Sequence, residues 1–425
     1  MMESIVIKNI KEIIQTEHEP VQLPRAGKAL SQLSNVKDGY IAIENGTIAS
    51  FGETSFYKND TVVSRMLDKG AQVIDASGKM VMPAFCDSHT HLVYAGSREM
   101  EYSDKLRGLS YQEIAARGGG ILNSANLLHN TTEEELYRQS VRRAWEIMGF
   151  GTGAVEIKSG YGLTPSDEIK MLRVAKRIGE ETPLTVKTTF LGAHAVPERY
   201  KGRREEYVNE IINEMIPVIA TEELADYIDV FTEEGFFSVE DTDRIFNAGI
   251  KYGLRPKIHA NQMSFSGGVQ VAAKYGAISA DHLEFTSQAE FEALKQSGTI
   301  ATLLPGSTFF LEMEYAPARE MINYGLPLAI ATNYNPGSSP SGDMKFMMAL
   351  ACLKMKLTPE EAINAVTING AFAMDLGESH GSIAIGKQAN LIITKEMPSY
   401  EFIPYAFTSP LVETLVLNGK VIGML

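Results

Sequence analysis

Val81-Met-Pro-Ala-Phe-Cys-Asp-Ser-His-Thr-His91 is an apolar run that ends in a His-x-His pair. Alternate residues of a strand point to the same side, so His89 and His91 can converge on one ion if this run is a strand. The competing reading is two surface histidines on a loop. Downstream, short apolar runs alternate with longer segments of helical spacing. The runs are Gly153-Ala-Val-Glu-Ile157, Val186-Lys-Thr-Thr-Phe190, Tyr227-Ile-Asp-Val-Phe231, Pro256-Lys-Ile-His259, Ala277-Ile-Ser-Ala-Asp-His282, Thr299-Ile-Ala-Thr-Leu-Leu304 and Leu328-Ala-Ile-Ala-Thr332. With the opening stretch that makes about eight strands, the pattern of a parallel (β/α)8 TIM barrel. A doubly wound sheet would alternate similarly, but no glycine-rich phosphate fingerprint follows the first strand.

The two ends read differently. Tyr40 to Ser50 places two strand-like runs around Asn45-Gly46, a strong hairpin signal. Ala71 to Val81 repeats the style with a turn at Ser77-Gly78. Gly381 to Thr394 reads as a hairpin, and Leu415 to Ile422 as another around Asn418-Gly419. These ends predict a small β-sandwich domain built from both termini, 1–82 plus 378–425, around a barrel at 83–377.

Composition excludes several classes. Lys and Arg number 39 against 53 Asp and Glu, a formal charge of −14, which disfavours nucleic acid as a partner. Two cysteines exclude a disulfide scaffold and suit a reducing compartment. No run approaches the ~20 apolar residues of a membrane helix, and the N-terminus lacks the pattern of a signal peptide. A cytoplasmic protein without membrane contact is expected.

Of eight histidines, five (His89, His91, His194, His259 and His282) sit at the C-terminal ends of apolar runs. That is the face from which a barrel presents catalytic groups. Singly, each of the last three is as readily a hydrogen-bonded core histidine. Together they exceed what one zinc or iron ion needs, so some should bind substrate or move protons. His18, His129 and His380 lie elsewhere and receive no role. Arg98, seven residues past the pair, can fork onto a substrate carboxylate or form a surface ion pair. Gly118-Gly-Gly120 can hug a ligand or simply turn, and Tyr161 falls on a loop over the barrel mouth, as readily a core tyrosine as a mobile lid.

These stretches resemble the imidazolonepropionase family of amidohydrolases along nearly the whole chain. The carrying residues are Asp87 to Glu99, Glu156-Ile-Lys-Ser-Gly-Tyr-Gly-Leu163, Leu191-Gly-Ala-His-Ala195, Lys257 to Gln262, Ser279 to Glu284 and Asn333-Tyr-Asn-Pro-Gly-Ser-Ser-Pro340. The resemblance implies hydrolysis of 4-imidazolone-5-propanoate to N-formimidoyl-L-glutamate, with one zinc or iron ion and a homodimer. It implies metal ligands at His89, His91, His259 and position 333. It implies that Arg98 and Tyr161 hold the propanoate or ring, and that His194, Gln262 and His282 face the ring. Asn335, Gly337 and Ser338 would line the far wall, and Gln262, His282 and position 333 would serve catalysis.

The sequence departs from the family at Asn333, where the family has Asp. An amide offers a neutral oxygen and cannot act as base, so weaker metal binding and impaired turnover are expected. Asn261 also stands where an acid is expected, and should point away from the ion. Leu122 to His129 lacks the family's Thr-x-x-x-Thr-Arg-like segment. Two alternatives follow from these departures: another cyclic amidohydrolase or aminohydrolase on the same scaffold, or a silent ligand-binding paralogue.

Overall fold

Pro83 ends one strand and Phe85 begins another, so the opening apolar run divides between two sheets. The computed structural model describes residues 4–109 and 119–423. The N-terminal strands are β1 (Ile5–Ile14), β2 (Asn35–Glu44), β3 (Thr47–Glu53), β4 (Gln72–Asp75) and β5 (Met80–Pro83). The next group is β6 (Phe85–Thr90), β7 (Thr152–Lys158), β8 (Thr185–Ala193), β9 (Tyr227–Thr232), β10 (Arg255–Pro256), β11 (Ile258–Ala260), β12 (Ser279–His282), β13 (Ile300–Leu303) and β14 (Leu328–Ile330). The chain closes with β15 (Leu391–Thr394), β16 (Val412–Leu417) and β17 (Lys420–Ile422).

The expected single strand from Val81 to Asp87 is therefore two. β5 pairs with β1 and β15, whereas β6 pairs with β7. Proline has no N–H to donate, which suits it to a strand end. The chain then changes sheets at Ala84, whose N–H donates to Asn390 O while Phe85 N–H donates to Gly151 O. Pro256 ends β10, and Lys257 separates it from β11, both strands lying on β9.

Strands from both termini form one sheet in the order β17-β16-β15-β5-β1-β2-β3, with β4 also on β1. The Asn45-Gly46 and Asn418-Gly419 hairpins form as read. All four residues have positive φ (55°, 84°, 51° and 72°), as a two-residue type I′ turn requires. Two expected hairpins do not form. β4 and β5 both pair in parallel with β1 rather than with each other. In Gly381 to Thr394 only β15 is a strand. The preceding segment bonds outward, at Thr16 with Ile383 and Thr47 with Gln388, while Lys387 Nζ donates to Gly377 O and His380 O. β1 is buried on both faces: Ile5, Ile7, Ile10 and Ile13 join one core, and Val6 packs with Tyr40, Val63 and Met66 on the other. Each fully buried isoleucine contributes about 1.5–3 kcal/mol relative to exposure.

The second sheet runs β6-β7-β8-β9-β11-β12-β13-β14, parallel throughout, with β10 also on β9. Its ends meet. Asn333 N–H donates to His89 O (3.0 Å), and His91 N–H donates to Tyr334 O (2.9 Å). Buried Asp87 accepts from the Thr332 N–H and hydroxyl at 3.0 and 2.6 Å. The barrel thus closes between its first and last strands just below the His-x-His pair. Amphipathic helices cover it with regular start signals. Thr164 caps a helix (Pro165–Glu181) with Pro at its first turn, and Ser238 forms a capping box with Asp241. Among the described residues no helix is long and apolar enough to cross a membrane.

Candidate metal centre

His89 lies on β6 and His91 one residue past it, both buried, with ring centroids 5.3 Å apart. His259 on β11 faces them: its Nε2 is 3.4 Å from His91 Nε2. That separation matches the edge of a tetrahedron with metal–nitrogen bonds of about 2.0–2.1 Å. His89 Nδ1 is 2.6 Å from Asp281 Oδ2, and its buried Nε2 has no hydrogen-bond partner. His259 Nδ1 is 2.9 Å from Asp229 Oδ2. His282, at the end of β12, also reaches the cluster: potential ligand atoms of His89, His259 and His282 lie within 4.8 Å of one another. The family resemblance set His282 against the substrate ring; the structure also brings its ring centroid to 5.5 Å from that of His259 and 5.9 Å from that of His89. His194 stacks on His91 at 5.0 Å, and its Nδ1–H donates to Gly160 O at 3.0 Å.

Burial, then the neighbouring charges, holds His89 and His91 well below the ordinary histidine range. His194 is pushed down to about 3 for the same reasons, and His259 is lowered by burial. Neutral imidazoles are the form that binds metal. Asn333 lines the same cavity as His91, His259 and His282. Its φ is 52°, and its buried Oδ1 has no partner. Orphaned buried acceptors cost free energy, and a cation among them removes that cost. The residues present therefore fit one divalent ion.

Tyr161 is buried, the core rather than the lid of the two readings the sequence left open, and it tilts against His91 and His194. The reason is Glu168. This buried carboxyl accepts from the N–H groups of Gly160, Gly162 and Leu163 at 3.0, 2.7 and 2.8 Å. Burial pushes it up to about 7 despite those donors. Gly160 has φ 113°, and a Cβ there would lie 2.8 Å from His194 Nδ1, so the stretch needs glycine at that point.

A cavity of about 180 Å³ opens over the histidines. It brings together Arg98, Tyr161, His194, Gln262, His282, Asn333, Asn335, Gly337 and Ser338, the residues that the family resemblance implies for the site. Asn335 Oδ1 accepts from the N–H groups of Gly337 and Ser338 at 2.7 and 2.8 Å, which shapes that wall. Arg98 pairs with Glu101 at 2.8 Å, and Glu101 also accepts from Gly120 N–H and Asn123. Asn261 points away, bonded to Phe285 O and Ser266. Gly118 of the glycine loop lies outside the described residues. Apolar walls from Ile121, Phe231, Phe236, Met263 and Leu311 went unread, because nothing distinguishes such residues from core in one sequence. Among the described lining residues there is no carboxylate. A larger groove of about 560 Å³ beside Trp145 and Val412 holds none of these histidines.

Residues 80–422 match the Amidohydrolase family. The chain is 53% identical to the imidazolonepropionase of Flavobacterium johnsoniae, over 98% of this chain and 99% of that one. It is 51% identical to the imidazolonepropionase of Christiangramia forsetii, over 99% and 100%. It is 40% identical to that of Alkaliphilus metalliredigens, over 99% and 98%. Among solved structures, a guanine deaminase of E. coli superposes with a TM-score of 0.75 at 12% identity, covering both chains fully. A triazine hydrolase variant superposes with a TM-score of 0.76 at 15% identity, over 98% of this chain and 94% of that one. Both share the fold.

Proposed function

The chain belongs to the imidazolonepropionase family of amidohydrolases, and from that premise we propose that it hydrolyses 4-imidazolone-5-propanoate to N-formimidoyl-L-glutamate in histidine degradation. The observation that carries this reading is one cavity with the imidazole cluster at its floor and Arg98 in its wall. A cyclic amide that bears a carboxylate tail matches both features.

In this reading His89, His91, His259 and Asn333 hold one zinc or iron ion. When bound, the ion supplies Lewis acidity toward water and the ring carbonyl. Arg98 forks onto the propanoate, and Tyr161 closes the same side. Water adds to the ring carbonyl carbon, the ring C–N bond breaks, and a carboxylate and a formimidoyl group result. Asn333 cannot accept the proton that leaves the water, because an amide is not a base at neutral pH. His282, in the cavity wall and 3.7 Å from Glu284, takes that proton and returns one to the departing nitrogen. His194 and Gln262 hold the ring. The proposal extends to a homodimer in the cytoplasm, on family likeness.

The test compares the substrate with the same ring lacking its carboxylate. Losing a charged hydrogen bond costs about 1.5–3 kcal/mol, so kcat/KM should fall roughly 10–150-fold. Equal turnover of both rings would remove the role given to Arg98.

A further inference from the structure

Beneath the histidines lies a layer of charge that the proposed reaction does not use. Glu156 and Lys158 on β7, Asp229 on β9, Lys257 between β10 and β11 and Asp281 on β12 are all at most 1% exposed. Taking ions out of water is expensive unless every one is paired, so such a layer is poorly explained by stability alone. Here each is paired. Lys158 Nζ lies 2.5 Å from Glu156 Oε1, 2.8 Å from Asp229 Oδ2 and 3.6 Å from Asp281 Oδ2. Lys257 Nζ pairs with Glu156 Oε2 and donates to Ser88 O and Ala373 O.

The atoms involved carry the inference. Asp229 Oδ2 and Asp281 Oδ2, the two oxygens facing Lys158, also face imidazoles: Asp281 Oδ2 is hydrogen-bonded to His89 Nδ1, and Asp229 Oδ2 lies 2.9 Å from His259 Nδ1 without a well-aligned hydrogen bond. The other oxygen of each carboxylate is anchored: Asp229 Oδ1 accepts His259 N–H at 3.1 Å, and Asp281 Oδ1 accepts the Ser279 hydroxyl at 2.6 Å. An Nδ1–H donated to a carboxylate leaves Nε2 as a lone pair, which fixes both tautomer and ring direction. We propose that Asp229 and Asp281 are positioning residues for the metal centre, and that Lys158, held between them, makes the two act as one unit. The inference rests on the reading that the histidine cluster holds the ion.

The test has readouts apart from turnover. In the metal-stripped chain with 15N-labelled histidine, long-range 1H–15N spectra should show His89 and His259 both as Nδ1–H tautomers. An Nε2–H tautomer at either ring overturns the proposal, and this measurement needs no variant. Both oxygens of Asp229 face fixed donors, so Asp229→Asn must turn an NH2 group toward one of them. That variant should move His259 to Nε2–H and, through Lys158, shift the His89 resonances as well. Zinc affinity, read by chelator competition, should fall about 10–100-fold in Asp229→Asn and in Asp281→Asn. The double variant should lose little more than the weaker single one. Losses that multiply, or a His89 spectrum untouched by Asp229→Asn, would overturn the coupling. A chain that passes these tests and still does not open the ring would overturn the proposed function and leave this inference standing.

Discussion

A Cβ placed on Gly337 would lie 2.1 Å from Nη1 of Arg98, so the guanidinium occupies the space that any larger residue at 337 would need. Gly337→Ala should therefore push Arg98 off its carboxylate-facing position. We expect KM for the propanoate substrate to rise and kcat/KM to fall roughly 10–150-fold, the worth of one charged hydrogen bond. Arg98→Lys should fall in the same range, because an ammonium cannot reproduce the fork. Steady-state kinetics of both variants check this.

Glu168→Gln tests the pinned loop. The carboxylate accepts three N–H groups through two oxygens, and an amide must turn its NH2 toward at least one of them. A buried mispaired donor costs about 1–3 kcal/mol. The variant should melt earlier and lose activity together, since Tyr161 rides on that loop. An unchanged melting temperature with normal kinetics would count against the pin.

Acid should destabilise the chain through His380. Its ring bonds Ser379 Oγ at 2.7 Å and Thr185 Oγ1 at 3.1 Å. Burial, with Lys387 close by, pushes it down from 6.5 to about 4. The folded state thus resists a proton that the unfolded chain takes up near pH 6.5. The stabilising contribution is complete above that pH and lost as pH falls toward 4, on the order of 3 kcal/mol. Denaturant melts from pH 4 to 7 should show His380→Gln less acid-sensitive than the parent by that margin.

Much of this was legible in the sequence, and the reasons for the rest are specific. The His-x-His pair and the strand–helix alternation carry period and position, which a single sequence displays. Two hairpins failed because turn residues signal a reversal without naming the partner: β4 and β5 both found β1. Tyr161 stayed open between core and lid because Glu168, seven residues on, gives no sign of reaching back to the loop. Asp229, Lys158 and Asp281 stood in or beside the quoted stretches. Their convergence needs the barrel, since β7, β9 and β12 do not pair with one another and only their side chains meet.

Asn333→Asp places a carboxylate in the cavity that His91, His259 and His282 line. Metal affinity should rise, roughly tenfold or more, because an anionic oxygen replaces a neutral one at the ion. Chelator competition with zinc checks it. Equal retention by both forms would place residue 333 outside the coordination sphere.

Supplying 4-imidazolone-5-propanoate to the metal-loaded chain and following N-formimidoyl-L-glutamate tests the proposed reaction itself. One product molecule should appear for each ring lost, and Asn333→Asp should turn over as well. A metal-loaded chain that leaves the ring closed in both forms would contradict it.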